Sequence, residues 1–257
     1  MKFTDTQPLV SVLLDVYNVG HYLPDCLDSL LDCSYDNLEI IAIDDFSKDD
    51  SWKILRLYKK MDKRIRTYRN VKHYDKAITL NRLLKKAKGQ FIAIMDAKDI
   101  VYKNKFKKQV AFLEKNPKFS AVGTQCTFIN AAGKKTQKSN FPLLTEAIYQ
   151  RPLHGITLDL ETVMINRLIL PKDALYFNPN SALLYSDIIM KLLQFGDITN
   201  LPTLLQYRRT ESPNRHTTIT KIPSLIKLWL KSMDSYDYRP SFRSILSPFK
   251  QPDLSTN

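Results

Sequence analysis

The chain has 257 residues and a formal net charge of +13. That length suits one large α/β domain, or one domain with a C-terminal extension. The composition is that of a globular protein, and no apolar run is long enough to span a bilayer.

Residues 1–8 read as a short lead-in without the apolar segment of a signal peptide. The first strand is expected at Val10–Asp15 (VSVLLD), followed by a helix marked by Leu23, Cys26, Leu27, Leu30 and Leu31. A second strand is expected at Leu38–Ile43, then a helix on Trp52, Leu55, Tyr58 and Met61, then a short strand at Ile65–Tyr68. Residues 70–76 (NVKHYDK) form a polar loop. A helix on Ala77, Leu80, Leu84 and Ala87 stops at Gly89 and leads into a fourth strand, Gln90–Met95. Phe106, Val110 and Leu113 mark the next helix, which ends at Asn116-Pro117. Phe119–Gly123 and Gln125–Asn130 read as two strands before a turn at residues 131–134.

Residues 135–160 read as loop-rich, with a short strand at Thr162–Ile165, a helix at Ala182–Leu193 and a strand at Leu201–Tyr207. Residues 208–220 are polar and basic and read as a flexible loop. Ile222, Leu225, Ile226, Trp229 and Met233, with Lys221, Lys227 and Lys231, give a basic amphipathic helix. Packing on the domain is the preferred reading of that helix; binding to a membrane surface is the alternative. The expected organisation is a domain over 1–220, then a helix and flexible tail over 221–257.

Three strand-like runs end in aspartate. In a sheet of this kind, ligands bind beyond the carboxyl ends of the strands. Asp15, Asp44, Asp45, Asp96 and Asp99 are therefore expected to gather on one rim, suited to a hard cation or to ring N–H groups. Each Asp could instead cap the helix that follows it. Cys26, Cys33 and Cys126 lack metal-ligand spacing and read as free core thiols. The four histidines lack zinc spacing, and no nucleic-acid-binding signature is present, so no nucleic-acid partner is expected.

The order of these signals resembles the family 2 glycosyltransferases of GT-A fold. PLVSVLLDVYN (8–18), YLPDCLDSLL (22–31), LEIIAIDDFSKDDS (38–51) and LNRLLKKAKGQFIAIMDAKD (80–99) carry the resemblance in the first half. ETVMINR (161–167) and SDIIMKLLQFGDITNLPTLLQYR (186–208) extend it. The resemblance implies a GT-A-type, Rossmann-like α/β domain with a mostly parallel central sheet flanked by helices.

It also implies transfer of a sugar from a nucleotide-diphosphate sugar, read as a UDP-sugar, to a hydroxyl on a glycan or glycoconjugate, with inversion. Tyr17 would stack on the base, Asp45 would accept from a base N–H, and Asp15 would lie nearby. Asp96 and Asp99 would hold Mn²⁺ or Mg²⁺ on the diphosphate, and Asp187 would deprotonate the acceptor. A protein of this type is expected to be cytoplasmic, with a peripheral membrane contact as an option.

Several positions depart from the family's pattern. Lys98 stands where an acidic residue is usual and could itself supply positive charge to the diphosphate. Asp15 replaces a proline, Phe46 a glycine, Leu160-Glu161 a His-Pro, and Ser186 an acid. Residues 70–81 are about three residues longer than the common pattern. A catalytically inactive binding or scaffolding module is the second reading.

Overall fold

The computed structural model describes residues 7–150, 157–181, 183–210 and 222–235. The elements in chain order are β1 (Val10–Val16), α1 (Leu23–Leu31), β2 (Leu38–Asp44), α2 (Ser51–Met61), β3 (Ile65–Arg69), α3 (Lys76–Lys86), β4 (Phe91–Asp96) and β5 (Ile100–Val101). They continue with α4 (Lys105–Lys115), β6 (Phe119–Ile129), β7 (Lys135–Lys138), α5 (Thr145–Gln150), β8 (Met164–Asn166), α6 (Leu184–Leu193), β9 (Asp197–Arg209) and α7 (Ile222–Ser235).

The sheet runs β3-β2-β1-β4-β8-β6-β9-β5, with β7 paired to β6. Strands β3, β2, β1 and β4 are parallel, as are β6 and β9. The short β8 is antiparallel to both β4 and β6 and joins the two halves. This is the mixed α/β, mostly parallel architecture expected of a GT-A domain.

Strands β1, β2 and β4 are covered on both faces, which explains their unbroken apolar runs. Val10, Val12, Leu14, Ile40 and Ala42 pack with Leu27 of α1, Leu55 of α2 and Phe106 of α4. Leu13, Ile41, Ile43, Ile92 and Ile94 pack on the other face with Leu80 of α3 and Ile188 of α6. Burying each Leu or Ile here stabilises the fold by roughly 1.5–3 kcal/mol.

Three expectations change. The strands foreseen at 119–123 and 125–130 are one strand, β6, whose register shifts at Thr124/Gln125. Strand β9 extends well past the expected Leu201–Tyr207 at both ends, so Arg208 and Arg209 belong to it and not to a loop. The loop-rich reading of 135–160 misses β7 and α5. Residues 1–6 of the lead-in, 211–220 of the foreseen loop and the tail beyond 235 lie outside the described residues.

Candidate active site

Alternation along the strands decides which carboxylates meet. Leu13, Ile43 and Ile94 face the α3 and α6 side, so Asp15, Asp45 and Asp96, each two residues further on, share that face. Asp15 and Asp96 are register partners on adjacent strands. Asp44 faces the other way. It accepts from the Ser47 N–H at 3.3 Å and pairs with Arg69 Nε at 2.9 Å, holding the turn after β2. The expectation that Asp44 joins the rim is corrected on this ground.

Burial pushes the Asp15 carboxyl up to about 7. The Lys76 ammonium opposes this, and the negative charges of Asp45 and Asp96 add to it. Asp15 Oδ1 is buried and has no hydrogen-bond partner among the described residues. An unpaired acceptor costs stability, and such groups collect at functional sites.

The two residues expected to meet a base lie together. Tyr17 is 41% exposed, and its ring stacks on that of His73 with centroids 4.0 Å apart and planes at 23°. Asp45 is buried. It accepts from Asn70 Nδ2 at 2.6 Å, from the Tyr74 N–H at 3.1 Å, and lies 2.8 Å from His73 Nδ1. The adjoining turn holds Phe46 at φ 65° and Asn18 at φ 50°. For Phe46 the left-handed conformation costs about 1–2 kcal/mol that a glycine would avoid. Lys48 Nζ lies 3.8 Å from the Phe46 ring centroid and offsets part of that cost.

The 96–99 turn separates its two carboxylates. Asp96 stays at the rim, where its Oδ1 accepts from the Lys98 N–H at 3.0 Å and its Oδ2 lies 3.8 Å from Lys98 Nζ. Asp99 is fully buried and turned into the protein. It accepts from Gln206 Nε2 at 2.8 Å, from the Arg209 N–H at 2.8 Å and from Arg208 Nη1. Arg208 also binds Asp159, Nε to Oδ2 at 2.9 Å, and Glu161 through Nη2. The second oxygen of Glu161 accepts from Lys76 Nζ at 3.0 Å and from Tyr185 OH at 2.8 Å. One guanidinium thus ties the 96–99 turn, the 159–161 turn and β9 together, and Lys76 carries the network out to the rim.

A family model described as Glycosyl transferase family 2 matches residues 11–170. The chain belongs to glycosyl transferase family 2. Among curated family relatives, it is 33% identical over 166 residues to the putative teichuronic acid biosynthesis glycosyltransferase TuaG of Bacillus subtilis, covering 64% of each chain. It is 37% identical over 118 residues to the putative glycosyltransferase EpsE of the same organism, covering 46% of this chain and 42% of that one. The matches therefore span less than two thirds of those relatives' own length.

Two solved structures share the fold. S. aureus TarS in complex with UDP-GlcNAc gives a TM-score of 0.71 at 17% identity, over 90% of this chain and 68% of that one. A mannosyltransferase from Pyrobaculum calidifontis in complex with GDP-Man and Mn²⁺ gives 0.68 at 18% identity, over 95% and 70%.

The family 2 expectation of a divalent cation between Asp96 and Asp99 does not fit these residues. Both Asp99 oxygens are committed to Gln206, Arg208 and Arg209, and an ammonium lies beside Asp96. Among the described residues no group of three or more His, Cys, Asp or Glu side chains is placed to hold a metal. In this structure Asp99 anchors the 96–99 turn from inside the protein, with both oxygens engaged by Gln206, Arg208 and the Arg209 N–H.

Asp187, the expected family 2 base, is 1% exposed and ion-paired to Lys231 of α7 at 3.0 Å. On the same helix it is Tyr185 that joins the Glu161 network. Helix α7 packs on α6, with Leu228 buried against Met190, while Ile226, Leu230 and Met233 remain exposed. Because Lys231 is partly exposed but Asp187 is buried, Lys231→Met is expected to cost about 1–3 kcal/mol. It should raise hydrogen exchange in α7 before the rest of the fold. Exchange no faster than in the unaltered chain would show that the pair does not latch the helix.

The sequence reading missed Lys76, Asp159, Tyr185 and Arg208. A carboxylate pair at 159 and 161 was the one local signal for the network. The other partners are brought in by non-local contacts.

Proposed function

We propose that the chain transfers a sugar from a nucleotide-diphosphate sugar, read as a UDP-sugar, to a hydroxyl on a glycan or glycoconjugate, with inversion. The observation that carries this is the pairing of an exposed aromatic face, Tyr17, with the carboxylate of Asp45 at adjacent strand ends, inside a family 2 domain. A flat ring and an acceptor at its edge are what a base with an N–H needs. The UDP-GlcNAc held by TarS supports a UDP donor as the first to test.

Positive charge for the diphosphate is assigned to Lys76 and Lys98, both partly exposed beside Asp96. Lys98→Asp is then expected to weaken donor binding in metal-free buffer. Donor binding unchanged by Lys98→Asp in metal-free buffer would overturn that role, whereas a variant that gained Mn²⁺ dependence would support it. Acceptor binding is assigned to a cavity of about 450 Å³ lined by Tyr22, Lys135, Tyr207 and Arg209. Arg209 Nε donates to the Lys98 carbonyl at 3.2 Å, linking the cavity to the rim turn. A peripheral membrane contact, if made, would fall on the exposed stripe of α7.

The second reading, a binding module without turnover, is favoured by the ion pair that occupies Asp187. Calorimetry with UDP, GDP and their sugar conjugates, with and without Mn²⁺, separates the cases when joined to an assay of donor hydrolysis and transfer. Binding with turnover supports the transferase. Binding without any turnover supports the module. No nucleotide binding under any condition removes the transferase and leaves a scaffolding module as the better account. Tyr17→Ala is expected to weaken nucleotide binding by about 1–3 kcal/mol, the worth of one stacked base.

A further inference from the structure

The loop between β3 and α3 makes contacts of its own at the strand ends. Its His73 ring lies on Tyr17 at 4.0 Å and nearly parallel, with Nδ1 2.8 Å from Asp45 Oδ2. These are the two contacts that a nucleobase would make in the reading above: one stacked face and one ring nitrogen on the Asp45 carboxylate. The Tyr74 N–H reaches the same carboxylate at 3.1 Å, so the loop, not a single side chain, fills its edge.

We propose that His73 is a tethered competitor for the base of the donor, and that the tip of this loop must withdraw before a nucleotide enters. The proposal rests on the donor site proposed above. The geometry suits such a movement. The His73 side chain is 55% exposed, and Val71 beside it is 81% exposed, so little apolar surface is lost when the tip lifts. The base of the loop is held by contacts to α3 in addition to the bond from Asn70 to Asp45. Asn70 is buried, donates to Thr79 Oγ1 at 3.1 Å, and accepts from Arg82 Nη1 at 2.6 Å. The hinge is therefore confined to residues 71–75. A competitor carried on a short tether acts at high effective concentration, and apparent affinity falls by the fraction of molecules in which it is docked.

The test is calorimetric binding of UDP and GDP to the full chain and to His73→Ala and His73→Phe. Thermal melts check that each variant is folded. His73→Ala is expected to bind at least about five-fold more tightly, because the docked fraction is removed. His73→Phe keeps a stacking ring but loses the bond to Asp45, and is expected to fall between the two. Unchanged or weaker binding by folded His73→Ala, with the unaltered chain still binding, overturns this proposal alone. Absence of binding to all three proteins overturns the donor site itself, and this proposal with it.

Discussion

Replacing Arg208 by methionine is expected to destabilise the chain by about 3–5 kcal/mol at neutral pH, measured as the loss of unfolding free energy in urea. The guanidinium is buried and bonded to Asp99, Asp159 and Glu161. Methionine fills a similar volume but leaves those carboxylates facing one another. Burial already raises the Asp99 carboxyl to about 7, with Arg208 pulling it down. Without Arg208 the folded state must take up protons to relieve the repulsion. The loss should therefore be smaller at pH 5 than at pH 8, since the folded variant binds more protons than its unfolded chain. A cost below about 1 kcal/mol would mean that the network is not the structural anchor of the rim.

The second large effect concerns Lys105, whose side chain is fully buried and donates to Gln206 Oε1. Burial pulls its ammonium down to about 8, against the stabilising charge of Asp99. An unfolded lysine titrates near 10.4. Between these values the unfolded chain holds the proton that the folded chain has lost, so stability contributed at this site rises with pH. Below 8 both states are protonated and the desolvation cost is present in full. Relative to Lys105→Met, the unaltered chain is expected to gain up to about 3 kcal/mol between pH 7.5 and 10. Parallel stability curves for the two proteins would show that Lys105 stays charged in the fold throughout.

What could be read in advance divides along physical lines. Strands β1, β2 and β4 were legible because helices cover both their faces, which leaves a continuous apolar run bounded by polar residues. The shared face of Asp15, Asp45 and Asp96 followed from where those runs stop. Strand β9 was legible only in its middle, because Asp197 and the two arginines are polar at positions where long-range pairs satisfy them.

No local pattern joins Arg208 to Asp99, since their contact closes a separation of 109 residues. The extra length of the loop at 70–81 was visible, but its return onto Tyr17 and Asp45 was not. Asp187 was chosen for its chemistry and its place in the resemblance. Helical geometry turned Tyr185 towards the network and left Asp187 to Lys231.

The reach of Arg208 bears on where this protein can be cut. The stretch matched by the family model stops at residue 170, and a fragment trimmed to it would look complete by alignment. It would lack β9, and with it the groups that bind Asp99 and one flank of β6. The boundary of the recognisable sequence is therefore not the boundary of an autonomous unit. A fusion or domain exchange designed on this chain has to carry residues through Arg209 if the loop after β4 is to keep its shape.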